Sequence, residues 1–371
     1  MLSPKILLIG GTGAIGSYLA PELINMGFDV FVTSRSTRVS DNNKLTYIQG
    51  NAHEEAFLLK ILATKYDAIV DFMVYSTNEF FKRYELLLSN TVQYIFLSTY
   101  RVFAESKTPI AENSPRLLDV SGDVNFLATD EYALAKARQE NILRGSKYKN
   151  WTIVRPTITY SKARFQLGTL EANTIIFRAQ NNCPVILPQE MLHKRTTMTW
   201  AGDVAKMIAL LMLNQNFFSE DFNVCTEEHQ TWKSIADYYN KFIGLNVVTT
   251  NLIKYIKVVG NRYQILYDRM FDRIMDNSKI LKATGMQKET LMPVYDGLSK
   301  ELLNFPKTFE TFKIDYIING KMDRLTNSKI PLKKEDAKKK IVYYGSYLGI
   351  IIILKHVYNL IKKIRYSFIC R

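Results

Sequence analysis

Cysteine and histidine are scarce in this chain, which has three cysteines and four histidines among 371 residues. Cys183, Cys225, Cys370 and the scattered histidines do not show the short spacings of a metal site or a paired disulfide pattern. We therefore expect no bound metal and no disulfide framework, as is usual for a protein of the reducing cytoplasm. We also expect no leader peptide, because a glycine-rich motif begins at Gly10.

The sequence also argues against nucleic-acid binding, although the formal net charge is +14. Ten basic residues lie between Lys333 and Arg371, where only Glu335 and Asp336 oppose them. More than half of the positive excess is thus in the C-terminal tail, and the rest of the chain has no basic stripe interleaved with aromatic residues. We expect no nucleic-acid partner, and we expect the remaining positive charge to favour an acidic substrate and cofactor.

The tail contains an apolar run, Ile341–Leu354, which ends at Lys355. A membrane span takes about 20 apolar residues, whereas this run has 14. The pattern is typical of a helix lying on the inner, anionic face of a membrane, with its lysines at the headgroups. A helix docked on the protein or at a homodimer interface is the equal alternative, and a full span is the third. We predict a separate basic, hydrophobic tail over residues 331–371.

A glycine-rich turn after a buried strand is the first motif with chemical meaning. The Ile- and Leu-rich run Lys5–Ile9 leads into it, and its glycines fit G-x-G-x-x-G. Such a turn leaves room for a pyrophosphate, and the next helix, expected near Ala14, points its free N–H groups at the phosphates. The predicted dinucleotide-binding residues are Gly10, Gly11, Thr12, Gly13, Ala14, Ile15 and Gly16.

The choice between NAD and NADP depends on the end of the second strand, Asp29–Thr33. An NAD site usually has an acidic residue there for the ribose 2′-hydroxyl, and none is present between Ser34 and Arg38. Arg35 and Arg38 could pair with a 2′-phosphate instead, but loop arginines are also compatible with NAD. Both cofactors stay open, and Arg35 is a candidate cofactor-binding residue.

A tyrosine and a lysine, Tyr132 and Lys136, stand four residues apart in a stretch of helical character. Residues at this spacing share one face of a helix. An ammonium group beside a tyrosine lowers its pKa, so that the tyrosine can exchange a proton with a substrate hydroxyl. The lysine also suits the ribose hydroxyls of a nicotinamide cofactor. Because the spacing is common, a surface tyrosine beside a solvated lysine is the simpler interpretation of this string alone.

Taken together and in this order, the motifs resemble the extended short-chain dehydrogenase/reductases, the NAD-dependent epimerase/dehydratase family that acts on nucleotide sugars. The similarity extends over about residues 4–290, through Tyr94–Ala104 and the Arg-Pro that follows Trp151–Val154. It implies catalysis by Thr99, Tyr132 and Lys136, with Thr99 and Tyr132 also contacting the sugar. It further assigns Asn51, Ser98 and Lys136 to the cofactor. Arg195, a basic residue suited to a diphosphate, is a candidate for binding the nucleotide-sugar substrate.

Departures from the family pattern narrow the expected function. Dehydratases have Thr-Asp-Glu where this chain has Thr99-Tyr100-Arg101, so we do not expect elimination of water. An Asn of the substrate loop is absent near Ile158, which removes one diphosphate contact. Arg164, Arg195 and Arg269 are candidates for that contact or are structural arginines.

We expect an epimerase that passes hydride transiently to a bound nicotinamide cofactor. The alternatives are an NADPH-dependent sugar-nucleotide reductase or dehydrogenase, and a non-catalytic NAD(P)- or RNA-binding relative. An epimerase on a membrane face would suit the synthesis of a surface polysaccharide.

The predicted fold class is α/β, a Rossmann-type doubly wound parallel sheet with a smaller C-terminal substrate lobe. The NAD(P)-binding domain is expected over residues 1–160, with residues 196–225 returning to it. The interleaved substrate lobe is expected over residues 161–330. Asp203 is expected to cap the helix that begins with it.

Overall fold

The computed structural model describes residues 3–162, 164–305, 313–333 and 335–350. Their contacts form two compact units. Unit 1 comprises the described residues of Met1–Arg164, Lys194–Gln230 and Leu266–Glu301. Unit 2 comprises those of Phe165–His193, Thr231–Ile265 and Leu302–Arg371.

The strands and helices are numbered in chain order. The strands are β1 (Lys5–Ile9), β2 (Asp29–Ser34), β3 (Leu45–Gln49), β4 (Tyr66–Asp71), β5 (Thr91–Leu97), β6 (Trp151–Val154), β7 (Ile158–Tyr160), β8 (Gln166–Leu167), β9 (Leu170–Glu171), β10 (Val185–Pro188), β11 (Arg195–Thr196), β12 (Met198–Trp200), β13 (Glu220–Phe222), β14 (Gln230–Thr231) and β15 (Val247–Thr250). The helices are α1 (Gly16–Asn25), α2 (Glu55–Leu62), α3 (Thr77–Phe81), α4 (Tyr84–Ser89), α5 (Leu117–Val120), α6 (Val124–Leu127), α7 (Tyr132–Gly145), α8 (Ala172–Gln180), α9 (Ala201–Leu210), α10 (Trp232–Ile243), α11 (Leu252–Val259), α12 (Arg262–Gln264), α13 (Ser278–Thr284), α14 (Val294–Leu303), α15 (Tyr316–Thr326) and α16 (Ala337–Tyr347).

A seven-stranded parallel sheet in the order β13-β6-β5-β4-β1-β2-β3 forms the centre of unit 1. In β1, Ile6 pairs with Val30 of β2 on one side and with Ala68 of β4 on the other. The strand order reverses at β1, so the carboxyl ends of β1 and β4 border the crevice where ligands bind in such sheets. The predicted Rossmann-type α/β fold is confirmed.

Helices cover both faces of this sheet, and β1 shows how the sequence specifies this. Ile6 and Leu8 enter one apolar cluster, which includes side chains of α1 and α9. Leu7 and Ile9 enter the other, which includes side chains of α2, α4 and α7. Because successive side chains of a strand point to opposite faces, a strand covered on both sides needs an uninterrupted apolar run.

Unit 2 contains a buried polar network that joins α8, α15 and α16. The Arg178 guanidinium donates to Asn319 Oδ1 at 2.8 Å and to Asp323 Oδ1 at 2.6 Å. Tyr343 Oη donates to the other oxygen of Asp323, also at 2.6 Å. Both ions of this pair are fully buried, so loss of either would leave the other charge without compensation.

The C-terminal helix α16 therefore belongs to unit 2, although the sequence placed residues 331–371 in a separate tail. Residues 351–371, which include the last four residues of the predicted apolar run, lie outside the described residues. In the part of the chain that is described, no helix has the length and hydropathy required to cross a membrane.

Two expectations about helix starts differ from the structure. The first helix, α1, begins at Gly16 rather than near Ala14. The predicted cap at Asp203 is wrong, because the extended backbone of Trp200 makes that residue the N-cap of α9 and no side chain caps the helix. Asp203 lies in the first turn, where its Oδ2 accepts a hydrogen bond from the Met292 main-chain N at 2.7 Å.

Candidate functional site

The glycine-rich turn connects β1 to α1 with very little space to spare. Gly10 has φ +72°, a left-handed conformation that suits glycine, and its N–H donates to Thr33 Oγ1 at 2.7 Å. A Cβ at Gly16 would overlap the main chain of Gly11, so a glycine is required for α1 to start this close to the strand. A Cβ at Gly13 would meet nothing within 4 Å. Gly13 thus borders open space.

The N-terminus of α1 faces this turn without a competing anion of its own. No side chain caps the helix, and its first turn has no acidic residue. The N–H groups of Ser17 and Tyr18 already donate to the main-chain oxygens of Gly13 and Ile15, so an external anion such as a phosphate would meet the positive end of the helix dipole and the main chain of the turn before Gly16.

A cavity of about 310 Å³ lies at the carboxyl ends of β1, β2, β3 and β4. Its lining residues are Gly10, Thr12, Thr33, Ser34, Arg35, Gly50, Asn51, Ala52, His53, Phe72, Met73 and Val74. Four predicted cofactor-binding residues thus meet here: Gly10, Thr12, Arg35 and Asn51. None of the lining residues is acidic, and the side chain of Arg35 is exposed. The lining is consistent with an anionic ligand.

Asn51 lines this cavity, but its side chain already has protein partners. Its Oδ1 accepts a hydrogen bond from the His53 main-chain N at 3.2 Å. Its Nδ2 donates to Glu54 Oε1 at 3.1 Å. Binding of the cofactor by Asn51 stays a prediction, and it would require this amide to share or exchange partners.

The catalytic candidates on α7 occupy its first two turns. Tyr132 is the first residue of the helix, and the Glu131 carboxylate before it accepts a hydrogen bond from the Ala133 main-chain N at 2.7 Å. Tyr132 is partly buried, whereas Lys136 is only 2% exposed. The helical stretch predicted for the pair is confirmed, and its lysine is a buried residue, not a solvated one.

Lys136 contacts the wall of the glycine-rich cavity. Its Nζ donates to the main-chain O of Met73 at 3.2 Å and lies 4.4 Å from the centre of the Phe96 ring. Burial lowers the pKa of Lys136 to about 8, against the opposing charges of Asp71 and Glu140. The lysine is therefore mainly charged at neutral pH, but it loses its proton at a much lower pH than an exposed lysine.

Tyr132 lies close to Thr99, which follows β5. Burial raises the pKa of Tyr132, while the charges of Arg101 and Arg164 and a hydrogen bond with Thr99 oppose the rise. The expected lowering of this pKa by Lys136 is thus wrong for the structure described here, because burial of the phenol outweighs the nearby positive charges. Thr99 is 5% exposed, and its Oγ1 accepts a hydrogen bond from the Arg101 main-chain N at 3.3 Å.

Arg101 is a site residue to which the sequence assigned no role. Its guanidinium carbon lies 5.2 Å from the centre of the Tyr132 ring. Glu131 and Asp268 hold it there, the former by a hydrogen bond and the latter across 3.5 Å. Neither partner could be found from local sequence, because Asp268 is far along the chain and Glu131 resembles an ordinary helix cap.

Asp268 also binds two further arginines, Arg269 and Arg273. Although burial alone would raise the pKa of Asp268, the charges of Arg269 and Arg273 lower it. Arg269, a predicted diphosphate candidate, also donates to Tyr100 Oη at 2.8 Å. Three guanidinium groups thus share the carboxylates of Asp268 and Glu131, and one of the three, Arg101, lies beside Tyr132.

Ser98 and Arg195, predicted for the cofactor and the substrate, are both paired with carboxylates of the protein. Ser98 Oγ donates to Glu140 Oε1 at 2.5 Å. Arg195 donates to Asp272 Oδ1 from its main-chain N at 2.8 Å and from its Nε at 3.3 Å. These contacts show structural roles, and the predicted binding roles stay predictions.

Asp71 is a buried carboxylate that the sequence did not single out. It ends β4, and its Oδ1 accepts a hydrogen bond from the Met73 main-chain N at 2.9 Å. Its Oδ2 accepts one from Tyr94 Oη at 2.8 Å. Burial raises the pKa of Asp71, and the charge of Lys136 opposes the rise. Its place at the carboxyl end of a buried strand is the signal that could have identified it.

The sequence model of the NAD dependent epimerase/dehydratase family matches residues 6–225. The chain belongs to this family. As an epimerase/dehydratase family member, it is an NAD(P)-dependent enzyme of the short-chain dehydrogenase/reductase type, with a nicotinamide dinucleotide as its cofactor. The search of curated proteins found no match.

Solved structures of similar fold include other epimerases. UDP-glucuronic acid 4-epimerase from Bacillus cereus, in complex with UDP-glucuronic acid and NAD, has a TM-score of 0.63 and 15% identity over 80% of this chain and 98% of that one. An epimerase from Methanothermobacter thermautotrophicus has a TM-score of 0.65 and 14% identity over 81% and 91%. UDP-N-acetylglucosamine 4-epimerase from Bacillus cereus has a TM-score of 0.60 and 17% identity over 81% and 96%. At these identities the likeness shows the fold.

The residues of this chain fit a dinucleotide. The open space at Gly13 and the uncapped start of α1 suit a pyrophosphate, and the cavity beside Arg35 and Asn51 suits a nucleoside. The buried Lys136 ammonium lies at the cavity wall, and its contact with the ribose hydroxyls stays a prediction.

Proposed function

We propose that this chain is a nucleotide-sugar epimerase in which Tyr132 moves the proton, Thr99 hydrogen-bonds the same sugar oxygen, and Lys136 binds the nicotinamide ribose. The observation that carries the proposal is the meeting of Tyr132 and Thr99 beside β5, with Lys136 one helical turn away at the wall of the glycine-rich cavity. The similar folds of UDP-sugar 4-epimerases support a UDP-sugar as the substrate class.

The dinucleotide, when bound, supplies the group that accepts hydride from a sugar carbon and returns it to the other face. The protein residues manage the accompanying proton at the sugar oxygen. Because burial raises the pKa of Tyr132, its resting form is the phenol, which suits proton donation to a keto oxygen. Before the tyrosine can accept a proton from the sugar hydroxyl, its own phenol proton must pass to solvent, and the resulting phenolate requires the positive charge of Arg101, which lies over the ring.

Arg101 is well suited to this task because its position does not depend on the substrate. Glu131 and Asp268 hold it from two sides, and Asp268 is itself fixed by Arg269 and Arg273. A charge held in advance needs no reorganisation during the reaction, which is the usual basis of electrostatic catalysis. In the sequence, Arg101 occupies the position at which dehydratases of this family have a glutamate, and in the structure it lies beside Tyr132.

The test combines identification of the cofactor with product analysis. Small molecules released from the denatured, freshly purified protein are identified by mass spectrometry. The protein is then incubated with UDP-glucose, UDP-glucuronic acid and UDP-N-acetylglucosamine, and the sugars are separated by chromatography. We expect a retained dinucleotide and conversion of one substrate to its epimer without net change in reduced-nicotinamide absorbance.

Two other outcomes have clear meanings. Stoichiometric loss of NADPH with one of these sugars would replace the epimerase by the alternative, a reductase. Full epimerase activity in Tyr132→Phe, compared with the control Tyr148→Phe at a partly buried tyrosine after α7, would overturn the assignment of Tyr132 as the residue that moves the proton.

A further inference from the structure

One face of α16 is fixed against the rest of unit 2. Tyr343 is buried, and its hydroxyl binds Asp323 in the network of Arg178. A Cβ at Gly320 of α15 would lie 2.5 Å from the main-chain O of Tyr343, so the two helices are in close contact. Since this packing sets the rotation of α16 about its axis, it also determines which side chains face outward.

The outward face carries an apolar stripe. Ile341, Tyr344 and Leu348 are 59%, 47% and 59% exposed, and Ile350 beyond the helix is 39% exposed. Spacings of three and four residues place the first three side chains on one face of the helix. A contiguous row of large exposed apolar side chains, unlike a scattered one, indicates a surface that contacts another apolar phase or molecule.

Positive charge borders this stripe at the start of the helix. Lys338 and Lys340 flank it, and no carboxylate of the described residues forms an ion pair with either. Lys339, in contrast, pairs with Glu335 at 3.0 Å and with Asp336 at 3.7 Å. The sequence that follows, residues 351–371, has five Lys or Arg and no Asp or Glu. The two lysines that border the stripe, Lys338 and Lys340, therefore give its edges positive charge.

We propose that the outward face of α16 binds an anionic lipid surface, with Ile341, Tyr344 and Leu348 in the acyl boundary and Lys338 and Lys340 among the headgroups. An apolar stripe with basic residues at its border is the pattern of a helix that lies in the interface plane. A second copy of the chain is a poorer occupant, because two such stripes would bring lysines of equal charge together. This inference concerns unit 2 and is independent of the catalytic assignment.

The full-length protein can be tested by co-sedimentation with vesicles. One set contains phosphatidylcholine alone, and the other contains an equimolar mixture with phosphatidylglycerol. We expect binding to the mixed vesicles that weakens with added salt, and little binding to phosphatidylcholine. Ile341→Ser with Leu348→Ser should lower the partition coefficient about tenfold or more. Lys338→Gln with Lys340→Gln should lower it about fivefold for each lysine.

A matched control uses α2 of unit 1, where Leu59 and Lys60 are also exposed. Leu59→Ser with Lys60→Gln makes the same chemical changes and should leave vesicle binding at the wild-type level. Thermal unfolding of each variant checks that the fold is retained.

Three results would overturn the proposal. The first is no binding of the wild-type protein to either vesicle. The second is a loss of vesicle binding that is the same in the α2 control as in the α16 variants, or vesicle binding that the α16 variants retain and that removal of residues 351–371 abolishes. The third is a dimer that light scattering detects without lipid and that the double variant Ile341→Ser, Leu348→Ser converts to a monomer. In that case a second copy of the chain, not a lipid surface, would cover the apolar stripe of α16.

Discussion

Replacement of two glycines in the same turn, Gly13→Ala and Gly16→Ala, should have different consequences. A Cβ at Gly16 would lie 2.6 Å from the carbonyl carbon and 2.7 Å from the Cα of Gly11. Ordinary carbon contacts begin at about 3.5 Å, so α1 would have to move away from β1 by most of an ångström. Overpacking of this kind costs about 1–3 kcal/mol, which corresponds to a fall in Tm of about 2–4 °C per kcal/mol.

Gly13→Ala, in contrast, places its methyl group in open space, with nothing of the protein within 4 Å. Its stability should equal that of the wild type or exceed it by about 0.4–1 kcal/mol, because alanine restricts the unfolded chain. If the pyrophosphate occupies that space, however, the methyl group collides with it, and dinucleotide affinity should fall at least about tenfold.

Thermal unfolding and calorimetric titration with NAD and NADP separate the two effects. Gly122→Ala is the matched control, since its Cβ also meets nothing within 4 Å and the residue is not part of the turn. Wild-type affinity in Gly13→Ala would refute the placement of the pyrophosphate. Equal loss of stability in Gly13→Ala and Gly16→Ala would refute the packing argument.

Three further substitutions test the site. Burial lowers the pKa of Lys136 from its ordinary value of 10.5 to about 8, so the unfolded chain binds more protons between these pH values. In urea unfolding, the free energy of unfolding of the wild type should rise by about 3 kcal/mol between these pH values relative to that of Lys136→Met. Free energies of the two proteins that change in parallel with pH would contradict this. Glu140→Gln removes the carboxylate that binds the buried Arg155 guanidinium through two hydrogen bonds of 2.8 Å. It should lower the free energy of unfolding by about 3–5 kcal/mol in the same assay, whereas Glu54→Gln, at an exposed residue, should change it little. Arg35→Ala should weaken NADP binding about tenfold in calorimetry and leave NAD binding nearly unchanged, and equal losses would exclude a contact with the 2′-phosphate.

Local patterns were sufficient to predict the strand, glycine turn and helix at the N-terminus, because the spacing of the glycines and the apolar run of β1 are properties of adjacent residues. The same holds for the helix that carries Tyr132 and Lys136. Sequence reasoning failed where a distant residue decides the chemistry. Asp268 fixes Arg101 although it lies more than 160 residues further along the chain. The Asp203 carboxylate, which the local sequence predicts as a helix cap, instead accepts a hydrogen bond from the main-chain N of Met292.

The direction of the Tyr132 pKa shows the same limitation. The sequence places a positive charge one turn away, but the extent to which the phenol is buried depends on the whole packing around it. Likewise, the sequence of the tail shows apolar and basic residues, but only the contacts of Tyr343 reveal which side of α16 faces outward.

The composition of unit 1 from three separate stretches has a consequence for synthesis on the ribosome. The edge strand β13 comes from the second stretch, and the partner that fixes Arg101 comes from the third, which ends at Glu301. The emerging chain can therefore pair β1 to β6 early, but it exposes the free edge of β6 until β13 has left the exit tunnel, and Arg101 lacks its second partner, Asp268, until the third stretch follows. During this interval the nascent Rossmann sheet is a natural client for a chaperone, and slow translation between β6 and β13 would lengthen its exposure.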